Sequence, residues 1–306
     1  MSIVSVVIPC YFNEENVNKT FIEISNVLKK ASIDFEIIFV DDGSKDKTFL
    51  ELSAIHAANP HVVKLVKLVK NVGSYTAILA GMSKATGDCV TVISADLQDP
   101  PELIAEMYQH WQSGIKLVLA SRAKRNDGIF NNYFSGFYHL LIQKMAIPSL
   151  PKGGFDFVLF DKELCQHVLK IKERNTNTLY LLPWLGYPFV TIPYERRKRE
   201  IGKSRWTLAK KIKLLIDSFV AFTYFPIRMI SFLGILLGMI SFAYLIYLLY
   251  SKLTGGIQIE GWTAMMVTLL AVSGFQMMAI GIIGEYVWRC LDIVRDRPQY
   301  VVEKEL

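Results

Sequence analysis

The chain has 306 residues, a net charge of +6 and 52% hydrophobic residues. This length allows one large domain or two ordinary ones, and this hydrophobicity excludes a disordered or fibrous protein. A mild basic excess is compatible with either a nucleic-acid binder or a membrane-surface protein, so the positions of the charges must decide between them.

Five apolar, strand-like runs alternate with helical patterns in the first part of the chain. The runs cover residues 3–8, 35–40, 62–69, 90–94 and 117–120. Regular alternation of this kind predicts an α/β domain built on a parallel sheet. Ligands of such sheets bind beyond the carboxyl ends of the strands, so the polar residues that follow each run are the first candidates for a site.

Acidic and amide side chains follow three of these runs. The first run leads into Asn13 and Glu14, the second into Asp41-Asp42, and the fourth into Asp96. Carboxylates in one crevice repel each other, and the usual compensation is a divalent cation or hydrogen bonds to ribose and base. Taken singly, the segment that begins at Asp42 is also an ordinary turn with an N-cap. The three segments together predict a nucleotide or metal site.

A strongly basic stretch follows the predicted α/β domain. Residues 193–213 contain nine Lys and Arg against two Glu, a composition that attracts anionic lipid headgroups. Apolar residues at helical spacing follow it and predict an interfacial amphipathic helix, namely Leu208, Ile212, Leu215, Phe219 and Phe222. The alternative is a solvated charge run followed by a helix of a bundle.

Two uncharged stretches near the C-terminal end are long enough to cross a membrane. They cover residues 229–250 and 262–284, and a helix of about 20 residues spans a hydrocarbon core of about 30 Å. We predict two transmembrane helices in preference to a buried hairpin. Basic residues flank the pair, whereas the connecting loop has only Lys252, so both termini are expected in the cytoplasm.

The predicted organisation has four parts. A cytoplasmic α/β domain covers 1–205, a juxtamembrane amphipathic segment covers 206–228, a transmembrane hairpin covers 229–288, and a cytoplasmic tail covers 289–306. This arrangement predicts a multi-pass protein whose larger domain remains in the cytoplasm.

The order of these motifs resembles that of family 2 glycosyltransferases of GT-A fold. The motifs are residues 9–14, Asp41-Asp42-Gly43-Ser44, Asp96-Leu97-Gln98, Gly153-Gly154-Phe155-Asp156 and Arg196-x-x-Arg199-x-x-Gly202-x-Ser204. Within the family the chain looks most like the polyprenyl-phosphate glycosyltransferases, of the bactoprenol glucosyltransferase type that is similar to dolichyl-phosphate mannose synthase. Many relatives carry Asp-x-Asp where this chain has Ser94-Ala95-Asp96.

The resemblance implies a role for each candidate residue. The resemblance implies that Asp96 binds the metal, with Gln98 beside it. It implies that Asp156 acts as the base or as the residue that orients the nucleophile. The implied nucleotide-sugar-binding residues are Pro9, Tyr11, Asn13, Glu14, Asp41, Asp42, Ser94 and Asp96. The expected phosphate- and acceptor-binding residues are Arg122, Arg125, Arg196, Arg199, Lys203 and Ser204.

The activity that the resemblance implies is inverting transfer of a hexose, first of all glucose from UDP-glucose, to undecaprenyl phosphate. It would occur at the cytoplasmic face of a bacterial inner membrane, depend on Mg²⁺ or Mn²⁺, and serve lipopolysaccharide or other cell-envelope glycan modification. The resemblance also implies a homo-oligomer, a tetramer, with no nucleic-acid partner. Two alternatives remain open: another donor, such as GDP-mannose or a UDP-linked amino sugar, and a non-catalytic membrane scaffold with a degenerate transferase domain.

Overall fold

The computed structural model describes residues 2–124, 143–144, 147, 150–151, 154–173, 176–197, 217, 220–254 and 261–306. The chain forms two compact units. One comprises Met1–Ala221 together with Asp296–Leu306, and the other comprises Phe222–Arg295. The chain therefore leaves the first unit, forms the second, and returns to the first.

Within the described residues of the first unit, eight strands form one mixed sheet in the order β7-β5-β6-β4-β1-β2-β3-β8. The strands β1 to β4 run parallel, whereas β6 and β8 are antiparallel to their neighbours. Their bounds are β1 Ile3–Cys10, β2 Asp34–Asp41, β3 Val63–Leu68, β4 Cys89–Val92, β5 Leu117–Lys124, β6 Phe155–Asp161, β7 Phe189–Glu195 and β8 Val302–Glu305.

Six helices of the first unit connect these strands in the described part of the chain. They are α1 Val17–Lys30, α2 Thr48–Ala58, α3 Ser74–Met82, α4 Leu103–Gln112, α5 Lys162–Lys170 and α6 Thr178–Trp184. The central strands are apolar at nearly every position because both faces of the sheet are covered. Ile37, Phe39 and Leu65 are fully buried there, and Ile24 and Leu28 of α1 pack in the same core.

The predicted α/β class is confirmed, and the five predicted runs, β1 to β5, all run in the same direction. The sheet also contains two antiparallel strands, β6 and β8, that the apolar runs did not predict. Strand β6 lies between β4 and β5 and is antiparallel to both, with Val92 opposite Val158 and Ser121 opposite Phe155. An antiparallel strand begins where its neighbours end. The start of β6 therefore lies at the carboxyl ends of β4 and β5.

Strand β8 completes the opposite edge of the sheet with residues that follow the second unit in the chain. Leu306 and Leu65 exchange two backbone hydrogen bonds of 2.8 and 2.9 Å. Glu303 pairs with Lys67 at 2.8 Å, and Glu305 pairs with Lys84 at 2.5 Å. This strand covers the edge of β3, which would otherwise present unpaired backbone groups.

The second unit contains two long helices, α7 Phe225–Leu253 and α8 Trp262–Val294. Among the described residues, one stretch, Phe225–Tyr244, is long and apolar enough to cross a membrane. None of the residues in its most apolar part is buried. Large apolar side chains such as Phe232 and Met239 are exposed. Glu285 and Arg289, one turn apart on α8, form an ion pair of 3.0 Å. The second predicted span, within α8, stays a prediction.

Candidate active site

The loops that follow β1 and β2 are joined by hydrogen bonds. Phe12 N donates to Ser44 Oγ at 3.0 Å, and Asn13 N donates to Thr48 Oγ1 at 2.8 Å. The side chain of Asn13 accepts from Tyr11 N at 2.8 Å. The first predicted motif is thus built against the second one.

Two further residues of the first motif have defined positions. Pro9 lies within β1, in register with Val40 of β2. Glu14 accepts a hydrogen bond from Lys47 N at 2.8 Å, just before α2 begins. Glu14 therefore helps to fix the loop after β2.

Asp41 is the last residue of β2, and its side chain is fully buried. Its Oδ1 accepts from Ser44 N at 3.1 Å, whereas its Oδ2 has no hydrogen-bond partner among the described residues. Burial raises the pKa of this carboxyl group. Because a buried acceptor without a partner is costly, Asp41 Oδ2 is a natural site for a hydroxyl or amide donor of a ligand.

Asp42 instead holds the loop that precedes α3. Its Oδ1 accepts from Val72 N at 2.7 Å, and its Oδ2 accepts from Gly73 N at 3.0 Å and from Asn71 Nδ2 at 2.8 Å. Burial raises the pKa of Asp42 to about 6. The adjacent Gly43 has a φ of +66°, and a Cβ there would lie 2.6 Å from the backbone carbon of Lys70. Both residues thus fasten the loop after β2 to the loop after β3.

The turn after β4 carries Ser94, Asp96 and Asp99. Ser94 Oγ lies 2.8 Å from Asp96 Oδ1 and 2.9 Å from Asp99 Oδ2. Gln98 N donates to Asp96 Oδ1 at 3.3 Å, and Leu97 between them has a φ of +52°, which closes the turn. The turn itself thus supplies donors that orient the Asp96 carboxylate.

Asp156, the second residue of β6, forms an ion pair with Arg122 of β5. Tyr194 of β7 lies in register with Arg122, and its hydroxyl donates to Asp99 Oδ1 at 2.5 Å. The burial of Tyr194 raises the pKa of its hydroxyl. Polar side chains therefore run from Asp156 across β5 and β7 to the turn after β4.

The segment after β7 joins the same turn. Arg196 Nε lies 3.5 Å from Asp99 Oδ1. Arg197 N donates to Gln98 O at 2.8 Å, and the Arg197 guanidinium pairs with Glu102 at 2.8 Å. Four of the predicted phosphate- and acceptor-binding residues lie outside the described residues, namely Arg125, Arg199, Lys203 and Ser204.

The donor set at this edge of the sheet fits one kind of divalent ion site. No group of three or more His, Cys, Asp or Glu side chains that could enclose a metal occurs among the described residues. Mg²⁺ is commonly held by one or two carboxylates together with substrate phosphates, and hard oxygen ligands suit Mn²⁺ as well. The oriented carboxylate of Asp96 fits an ion that also binds a diphosphate.

Two site residues had no role in the sequence prediction. Asp99 directly follows the Asp96-Leu97-Gln98 motif and was given no function, and Tyr194 lies on a strand that apolar runs did not reveal. The alternation of Ile192 and Tyr194, both buried, with exposed neighbours was the available signal for that strand.

Comparisons with known proteins identify the family of this chain. The family model described as Glycosyl transferase family 2 matches residues 5–169. The chain is 35% identical to the uncharacterized glycosyltransferase YkcC of Bacillus subtilis, over 98% of this chain and 93% of that protein. It is 31% identical to the bactoprenol glucosyl transferase of Shigella phage SfII, over 98% of this chain and 97% of that protein.

The chain also shows a distant likeness to a solved structure, that of mannosyl-3-phosphoglycerate synthase from Rubrobacter xylanophilus. The identity is 19%, the TM-score is 0.49, and the match covers 71% of each chain. The family match and the nearly full-length relatives establish the assignment. The chain belongs to glycosyltransferase family 2, and it is an enzyme of the glycosyltransferase type with the Rossmann-like α/β fold called GT-A.

Proposed function

We propose that the chain transfers glucose from UDP-glucose to undecaprenyl phosphate, with inversion at the anomeric carbon, at the cytoplasmic face of a bacterial cell membrane. The observation that carries this proposal is that Asp41, Asp96 and the Asp156–Arg122 pair all lie at the edge of the sheet where the parallel strands end. Relatives over nearly the whole chain that are named bactoprenol glucosyl transferases support the lipid acceptor and the glucosyl group.

The nucleoside of the donor is assigned to the loops after β1 and β2. Asp41 Oδ2 is a buried acceptor without a partner among the described residues, so it suits a hydroxyl or amide of the nucleoside. Tyr11 and Asn13 belong to the loop after β1, and Pro9 lies near the end of β1. Asp42 contributes indirectly, because its carboxylate is already bound by the loop before α3.

The diphosphate of the donor is assigned to the turn after β4. Asp96 would hold a divalent cation there, with Gln98 beside it. Such an ion stabilises the charge that develops on a departing nucleoside diphosphate. Ser94 and Gln98 N keep the carboxylate oriented before the donor arrives.

The reacting centre is assigned to the start of β6. A phosphate monoester is already mostly a dianion at neutral pH, so the lipid phosphate needs little help from a base. The ion pair with Arg122 restricts the position of the Asp156 carboxylate. Asp156 would thus orient the sugar or the acceptor, and a single displacement gives inversion.

The lipid acceptor requires a membrane, and we assign two spans to the chain, one in α7 and one in α8. The course of the chain supports this assignment. Residues on both sides of the second unit belong to the first unit, and they can share one side of a membrane only if the chain crosses it an even number of times. The basic residues around Arg199 and Lys203 would meet the lipid phosphate, and the family resemblance favours a homotetramer.

The test is a panel of labelled nucleotide sugars incubated with the purified chain and undecaprenyl phosphate. UDP-glucose should give the most lipid-linked product, and excess EDTA or Asp96→Ala should abolish it. Preference for GDP-mannose or a UDP-linked amino sugar would correct the donor. Absence of lipid-linked product with every donor would refute the proposed function, and full turnover in EDTA would refute the metal.

A further inference from the structure

Asp99 is a buried carboxylate that the proposed chemistry does not use. Its side chain is 1% exposed. Its Oδ1 accepts from Tyr194 at 2.5 Å and lies 3.5 Å from Arg196 Nε, and its Oδ2 lies 2.9 Å from Ser94 Oγ. Burying a carboxylate costs free energy, which these partners offset. The question is what the molecule gains from a carboxylate at this position.

The contacts of Ser94 give the answer. Its hydroxyl lies between two carboxylates, at 2.9 Å from Asp99 Oδ2 and at 2.8 Å from Asp96 Oδ1. A serine hydroxyl carries one proton, so the two carboxylates share it in a three-centre hydrogen bond. Asp99 is the acceptor on the buried side and restricts the rotation of the Ser94 side chain, and Asp96 is the acceptor on the side of the site.

Asp99 is itself held from outside the turn. Tyr194 belongs to β7, and Arg196 follows the same strand. Because β7 pairs with β5 in regular register from Leu117 to Arg122, the sheet determines where the Tyr194 side chain starts. A chain of hydrogen bonds therefore connects the sheet to Asp96: Tyr194 of β7 contacts Asp99, Asp99 contacts Ser94, and Ser94 contacts Asp96.

We propose that Asp99 is a positioning residue for the metal-binding carboxylate of Asp96, and that it acts through the hydroxyl of Ser94. The proposal rests on the proposed function, in which Asp96 holds the divalent ion of the nucleotide diphosphate. Loss of an outer hydrogen bond to a metal ligand commonly weakens metal affinity by about 10–100-fold. We therefore expect Asp99→Asn to weaken Mn²⁺ binding by about tenfold.

The test is a titration of the full chain with Mn²⁺ at saturating UDP, with free Mn²⁺ measured by electron paramagnetic resonance. Asp99→Asn, Ser94→Ala and the double variant form a cycle. If Asp99 acts through Ser94, each single variant loses about tenfold in affinity and the double variant loses no more than Ser94→Ala alone. Ser94→Thr, which keeps the hydroxyl, should restore most of the affinity.

A matched control separates positioning from stability. Asp161 is an aspartate at the opposite end of β6, where it accepts from Trp111 Nε1 at 2.9 Å and caps α5. Asp161→Asn should lower the melting temperature and leave the Mn²⁺ affinity at the wild-type value. If Asp99→Asn does not fold, Tyr194→Phe replaces it in the same cycle, because it removes the donor to Asp99 Oδ1.

Three results would overturn the proposal. Wild-type affinity in the folded Asp99 or Tyr194 variant would remove Asp99 from the metal site. Additive losses in the double variant would show that Asp99 does not act through Ser94. A wild-type chain that binds no Mn²⁺ with UDP would leave nothing for Asp99 to position, and the separate transfer assay would then decide whether the proposed function itself survives.

Discussion

The ion pair between Asp156 and Arg122 defines the environment of the candidate catalytic residue at the scale of single side chains. Asp156 is half exposed, whereas the Arg122 side chain is largely buried between strands. A buried guanidinium that pairs with a carboxylate restricts the position of that carboxylate. This pairing agrees with an orienting role for Asp156 more than with repeated proton transfer.

We predict that Asp156→Asn lowers turnover by about 10²–10⁴-fold and leaves the affinity for UDP nearly unchanged. The amide keeps the size of the side chain but removes the charge opposite Arg122, and the nucleoside is assigned to other loops. Initial rates of lipid-linked product and calorimetric titration with UDP measure the two effects. Asp161→Asn on the same strand is the control, with wild-type turnover. Wild-type turnover in folded Asp156→Asn protein would remove this residue from the reacting centre.

A second prediction concerns the pH dependence of stability at Asp42. Burial raises the pKa of Asp42 to about 6, well above that of an aspartate in an unfolded chain. The native state therefore takes up a proton before the unfolded state does as the pH falls, so this group favours folding at lower pH. Between about pH 7 and about pH 5, the free energy of unfolding should rise by about 1 kcal/mol more in wild type than in Asp42→Asn.

Urea unfolding in detergent at several pH values measures this difference. Asp46→Asn is a suitable control, because Asp46 lies in the same loop and its Oδ1 accepts from Thr48 N at 3.1 Å. Its pH profile should parallel that of wild type. Equal profiles for wild type and Asp42→Asn would show that the pKa of Asp42 is not raised in the folded chain.

At the scale of elements, the sequence predicted the strands of the sheet that alternate regularly with helices along the chain. The runs that became β1 to β5 are apolar on both faces, and the motifs after β1, β2 and β4 lie at one edge because parallel strands share that edge. The strand β6 could not be placed between β4 and β5, since local patterning does not determine which strands pair. Tyr194 and Asp99 were missed for the same reason, because their contact depends on the pairing of β5 with β7.

The strand β8 gives a prediction about the edge of the sheet. Removing residues 296–306 should destabilise the first unit by roughly 3 kcal/mol, because it removes the backbone bonds to Leu65 and Val69, each worth about 1 kcal/mol. The double variant Glu303→Gln/Glu305→Gln keeps those bonds and should lose less than about 1 kcal/mol per ion pair, since these pairs are partly exposed. Thermal unfolding followed by intrinsic fluorescence compares the two. If the truncation and the double variant lose the same stability, the ion pairs and not the backbone hydrogen bonds stabilise this edge.

At the scale of the whole molecule, the two ends of the second unit lead to the same folded body. In the proposed topology that body lies in the cytoplasm, and the residues between α7 and α8 would lie on the other side of the membrane. The sequence already indicated this topology through the basic residues that flank the helix pair. Pairing of β8 with β3 is an independent observation that agrees with it.

Labelling of single cysteines tests this topology. The exposed Cys290 is first replaced by serine, and the other three cysteines are buried. We expect an impermeant maleimide to label Thr254→Cys in intact cells, and to label Val301→Cys only after the membrane is opened. Labelling of both positions in intact cells, or of neither, would contradict two spans.

The strand β8 also has a consequence for the order of synthesis. Lys67 on β3 and its partner Glu303 are 236 positions apart in the chain. At about 5–20 residues per second, a ribosome makes the later residue roughly 10–50 s after the earlier one. During that interval the growing chain carries an open β3 edge while α7 and α8 are being made. Completion of the sheet thus waits until the helix pair has been translated, and a chain stalled within that pair would present an unpaired strand to chaperones and proteases.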